Sequence, residues 1–108
     1  MILLSPVPHK DGWQQGRDFA SVAEWDRQVA EAGGAQFADL TMVISDGYRQ
    51  LGAQTVDSYF SDARTHTNEA GAMFNARSVV SAFKGLPGNP LGAYLSSAGQ
   101  RIPAAASR

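Results

Sequence analysis

The chain contains no cysteine. Disulfides and thiolate metal sites are therefore excluded, while the redox compartment is left open. Nor does charge of either sign predominate: nine Lys and Arg are interspersed with ten Asp and Glu, for a net charge of −1. There is no basic stripe to attract nucleic acid and no basic amphipathic helix to lie on a membrane surface. No apolar run approaches the length of a membrane span. Ile2-Leu3-Leu4 is apolar, but Pro6 and Pro8 follow at once. That run is too short for a signal-peptide core and has no basic start, and the residues leave localisation unspecified. Gly-x-Ser-x-Gly, which carries the nucleophile in many α/β hydrolases, is also missing.

The residues that are present describe one small globular domain. Of 108 residues, 44% are hydrophobic and 18% charged, which is too apolar for a disordered chain. Residues 2–7, Ile-Leu-Leu-Ser-Pro-Val, read as a strand with apolar residues on both faces, as in the middle of a parallel sheet. Residues 8–17 are polar with glycines and read as a loop, with His9 exposed in it. Ser21-Val22-Ala23-Glu24 has the form of a capping box, with Ala20 and Trp25 as a weak staple. The spacing of Val22, Trp25, Val29 and Ala32 predicts a helix with that stripe in the core, stopped by Gly33-Gly34. Residues 35–40 read as a second strand, so strand, helix and strand form a βαβ unit with parallel strands. Thr41 is placed to cap a helix burying Ile44, Tyr48 and Leu51 and ending at Gly52. Val56, Tyr59 and Phe60 make another short apolar helix or turn. A last helix spans 68–84 and is closed by Gly85, Pro87, Gly88 and Pro90. Residues 96–108 read as a poorly ordered tail.

The chemistry is concentrated in Asp62-Ala63-Arg64-Thr65-His66-Thr67-Asn68-Glu69-Ala70-Gly71-Ala72. Asn68 is a good N-cap, and Glu69 lies where a helix dipole favours negative charge. His66 therefore stands just before a helix, with an acid close behind it. An Asp so placed can orient an imidazole and stabilise its protonated form. Asp62 can equally be a turn residue.

The block Asp, Thr-His-Thr, Ala-Gly-Ala resembles the last block of SGNH (GDSL-type) hydrolases, in particular the rhamnogalacturonan acetylesterase group of carbohydrate esterases. In that family the block supplies an acid and the catalytic histidine at Asp-x-x-His spacing; here Asp62 and His66 are one residue further apart. Ile2-Leu3-Leu4-Ser5-Pro6-Val7-Pro8 is similar to the family's fourth strand, and Phe37-Ala38-Asp39-Leu40 to its fifth. The resemblance covers residues 1–95. It implies the C-terminal βαβ-α portion of a flavodoxin-like fold, a parallel sheet flanked by helices. It also implies His66 as base, Asp62 as orienting acid, and no cofactor or metal. The implied substrate is an acetylated cell-wall polysaccharide or another ester.

The family's nucleophile lies in a Gly-Asp-Ser motif, and its oxyanion hole in further Gly and Asn blocks. Neither is present; Ser45-Asp46-Gly47 has the wrong order and lies in an expected helix. The resemblance thus implies that these groups come from an N-terminal half outside this chain and that the isolated chain is inactive; a strand 2–7 without its neighbour further predicts that the isolated chain self-associates or is only partly folded. Two other readings remain open. Asp62, His66 and Glu69 all carry possible zinc ligands. Alternatively, the chain is a non-catalytic βαβ module that binds a partner chain through an open sheet edge.

Overall fold

A computed structural model describes residues 1–15 and 19–106 of the chain. The end of the expected 8–17 loop and residues 107 and 108 of the expected tail lie outside the described residues. Strands β1 (Ile2–Leu4) and β2 (Gln36–Ala38) pair in parallel, with Ile2 opposite Gln36, Leu3 opposite Phe37 and Leu4 opposite Ala38. Helix α1 (Ala20–Gly33) connects them. Helices α2 (Leu40–Leu51), α3 (Ala53–Asp57), α4 (Glu69–Lys84) and α5 (Ser97–Arg101) follow. The result is a small mixed α/β domain built on a βαβ unit, with strands shorter than the sequence implied.

Helix α1 differs from expectation at its start and in the face it buries. Its N-cap position is Phe19, held at φ 59°, and no side chain caps it. The capping box does not form. The Glu24 carboxylate instead takes two hydrogen bonds from the Arg27 guanidinium and one from Gln28, which hold its pKa down at about 2. Ala23 and Ala30 are the buried residues, whereas Trp25 and Val29 are 62% and 63% exposed. Two apolar stripes run side by side on this helix. The small alanines allow it to lie close to the sheet, and a sheet of two strands is too narrow to cover the second stripe. The end of α1 is as expected: Gly34 takes φ 71°, and the Ala35 amide reaches back to the Ala30 carbonyl at 2.8 Å.

Helix α2 is capped by Asp39, not Thr41. Asp39 Oδ1 accepts from the Met42 amide at 3.1 Å and from the Ser5 hydroxyl at 2.8 Å. Ser5 Oγ in turn accepts from the Thr41 amide at 3.0 Å, and the Thr41 hydroxyl donates to the Pro6 carbonyl. The residue just past each strand is thus tied to the start of α2. A cap two positions earlier wins because it satisfies Ser5 as well as the helix.

Ile44 and Tyr48 of α2 are fully buried, while Leu51 is 37% exposed. With Trp13, Val56, Phe60, Ala82 and Leu86 they form the main part of the core. Complete burial of Ile44 and Val56 contributes about 2 kcal/mol each. Tyr48 is the hub: its ring stacks on Phe74 at 5.5 Å and meets Trp13 and Phe60 edge-on at 5.5 and 6.4 Å. Burial pushes its hydroxyl up to about 12.

Residues 96–106 are more organised than a loose tail. Ser96 caps α5 by accepting from the Gly99 amide at 3.1 Å. Lys84, at the end of α4, donates to the carbonyls of Gly99, Gln100 and Ile102, and Ser81 bonds Pro103 and Ala105. The sequence hid this because the contacts run from small polar residues to backbone, which leaves no hydrophobic pattern.

Candidate functional site

The site begins from a buried anchor. Val56 fixes α3 in the core, and Phe60, 8% exposed, marks where the chain leaves it. Phe60 pairs with Thr67 in a single antiparallel bridge, so residues 61–66 form a loop closed at its base. Ser61 strengthens the closure, donating both its amide (2.8 Å) and its hydroxyl (3.0 Å) to the His66 carbonyl. One step further in, the Asn68 amide donates to the Tyr59 carbonyl at 2.9 Å.

Helix α4 starts where expected. Asn68 Oδ1 accepts from the Gly71 amide at 3.1 Å, and Asn68 Nδ2 donates to the Ser58 carbonyl at 2.7 Å. Gly71 is required by space: a Cβ there would lie 2.2 Å from the Tyr59 carbonyl oxygen. The Asn and Gly of the sequence block therefore have a local physical reason, which is to seat the first turn of α4 against residues 58–60.

Inside the loop the chain curls around one carboxylate. Asp62 Oδ1 accepts from the amides of Arg64 (2.9 Å), Thr65 (2.7 Å) and His66 (3.1 Å). Asp62 Oδ2 lies 2.5 Å from His66 Nδ1. This turn brings the two side chains together across the three residues between them. The Arg64 amide and then the His66 ring, with the other two amides, hold the Asp62 carboxyl well below the usual carboxylate range. The two carboxylate oxygens of Asp62 thus make different contacts, Oδ1 with the turn amides and Oδ2 with the His66 ring.

A carboxylate on Nδ1 fixes the proton there in the neutral ring and leaves Nε2 as the acceptor. The His66 side chain is 78% exposed, and Nε2 has no protein partner among the described residues. The dyad can take a proton from an incoming group and stabilise the resulting imidazolium. The loop that follows β1 borders it: the Lys10 amide donates to the Arg64 carbonyl at 2.8 Å, and Arg64 lies 3.7 Å from Asp11. The dyad therefore lies next to the loop leaving the C-terminal end of β1, the side on which open α/β sheets carry their sites. His9 in that loop is half-buried, not exposed, with its ring 4.6 Å from that of Phe19.

Neither Ser45 nor Ser5 is brought in. Ser45 is buried within α2, and Ser5 is 2% exposed with its hydroxyl committed to Asp39. Among the described residues no three His, Cys, Asp or Glu side chains gather in a group that could hold a metal. Sequence reasoning missed Ser61 and the second role of Asn68. Both act on backbone carbonyls several residues away, and only the helix-capping half of the Asn68 role has a sequence signal.

Compared with known proteins, the chain matches no family model, and no curated protein is significantly similar to it.

Proposed function

We infer that this chain carries the acid–histidine portion of a serine carbohydrate esterase of the SGNH type, resembling rhamnogalacturonan acetylesterases. His66 is the general base and Asp62 its orienting acid. The nucleophilic serine and the oxyanion hole come from a segment outside this chain, and the reaction removes acetyl groups from a cell-wall polysaccharide. The observation that carries the reading is the 2.5 Å contact between Asp62 Oδ2 and His66 Nδ1, with the rest of the ring exposed. A structural ion pair has no need to leave a histidine edge open beside a helix start, whereas a base requires it.

The test is reconstitution. The chain alone should hydrolyse an aryl acetate no faster than its His66→Ala variant, because the members of a triad act as a unit. Mixed with the N-terminal half of an SGNH esterase carrying Gly-Asp-Ser, it should gain activity. His66→Ala should then lower the rate at least about a thousandfold, and Asp62→Ala by less. His66-dependent hydrolysis by the chain alone would reveal an unrecognised nucleophile.

The alternative, a non-catalytic module, is favoured by one observation. Among the described residues β1 pairs only with β2, and all three of its residues stay half-exposed. A folded complex whose properties ignore His66→Ala would select that alternative.

A further inference from the structure

We propose that Asn68 is a positioning residue for His66, acting through the hydrogen bond from its Nδ2 to the Ser58 carbonyl. The proposal rests on the reading of His66 as base and adds to it the device that sets the ring in place.

His66 is highly exposed, and nothing packs it into position. Its placement therefore depends on where the two ends of the 61–66 loop are held. One end follows Ser58-Tyr59-Phe60, and the other runs into α4. Asn68 bonds to both, alongside the Phe60–Thr67 bridge and the Ser61–His66 bonds. Its Oδ1 holds the first turn of α4 through Gly71, its Nδ2 holds Ser58, and its own amide holds Tyr59. The close seat at Gly71 leaves little slack between the two. An N-cap needs only the oxygen. The nitrogen, reaching back across the loop, is what a serine or threonine cap could not supply. Loss of that one bond leaves the helix start intact and removes one of the ties at the base of the loop, leaving the Asn68–Tyr59, Phe60–Thr67 and Ser61–His66 contacts to hold it. The Asp62–His66 contact then samples longer distances more often.

The test separates the two halves of Asn68. Asn68→Ser keeps an acceptor for the Gly71 amide but cannot reach Ser58, and Asn68→Ala loses both. The readout is the Nδ1 proton of His66 in the labelled 108-residue chain, followed by nuclear magnetic resonance for its shift and its exchange with water. Asn68→Ser should speed that exchange about tenfold, the equivalent of one modest hydrogen bond, while the Gly71 amide stays protected. Asn68→Ala should expose both. If Asn68→Ser leaves the His66 proton unchanged, Asn68 is only a helix cap and the proposal fails.

Should either variant fail to fold, the unsubstituted chain still decides. In rising urea, the Asn68 side-chain amide and the His66 Nδ1 proton should lose protection together. Loss of the His66 proton while the Asn68 amide stays protected would overturn the proposal. Because no activity is measured, this failure is distinct from failure of the esterase reading, which depends on reconstitution.

Discussion

Two regions of this molecule obey opposite rules. The loop around His66 is polar and exposed from Ser61 to His66, yet each turn of its backbone is held by a named hydrogen bond. The outer stripe of α1 is apolar, with Trp25 and Val29, yet both are more than half exposed. Burial follows hydrophobicity only where there is a surface to be buried against. Order, by contrast, can be built without burial when one carboxylate gathers several donors. The first region is ordered by polar contacts, and the second is apolar surface left largely exposed.

The comparison can be broken most severely at Gly71. Its missing Cβ is what brings the start of α4 against Tyr59. Gly71→Ala should destabilise the chain by about 3 kcal/mol, at the upper end for overpacking a tight site, because the obstructing atom is backbone. Urea denaturation measures this directly. An unchanged midpoint would mean that the segment yields easily and that the loop is less constrained than its hydrogen bonds suggest.

The apolar stripe provides the next test. We expect the isolated chain to self-associate, and sedimentation should show a mass that rises with concentration. Replacing Trp25 and Val29 together by lysine should lower that association and change stability by no more than about 0.5 kcal/mol, as for exposed positions. A chain that is monomeric before the substitution would show that the exposed stripe is tolerated as it stands.

The smallest effect is the pH dependence of the polar loop. Asp62 is held below its ordinary range, so its contribution is fully present above the unfolded-state value of about 4 and is lost only as pH falls below that. The thermal midpoint of Asp62→Asn should lie below that of the parent at neutral pH, and the gap should close in strong acid. A gap that closed at neutral pH would place the titration on another group.

These regions also differ in how far the sequence disclosed them. The helix from Glu69, its Asn68 cap and the βαβ order were legible, because caps, glycine stops and apolar spacing are local signals. The buried face of α1 was not. Val22, Trp25, Val29 and Ala32 have the spacing of a core stripe, and only the narrow sheet decides that Ala23 and Ala30 are covered instead. The Asp62–His66 meeting was visible as a pair but not as a geometry, since a run of residues cannot show that three backbone amides will wrap one oxygen. Thr41 was the wrong cap for α2 because Ser5, far away in sequence, recruits Asp39.

Helix α4 has one further property that follows from its two ends. Most helices fray, since their terminal turns are the least supported. Here the N-terminal turn is fastened through Asn68 to Ser58, and the C-terminal Lys84 is fastened to the carbonyls of residues 99, 100 and 102. The helix behaves as a beam clamped at both supports, with no loose end from which to unzip. The strap of residues 96–106 and the histidine loop are thus joined to opposite ends of the same helix.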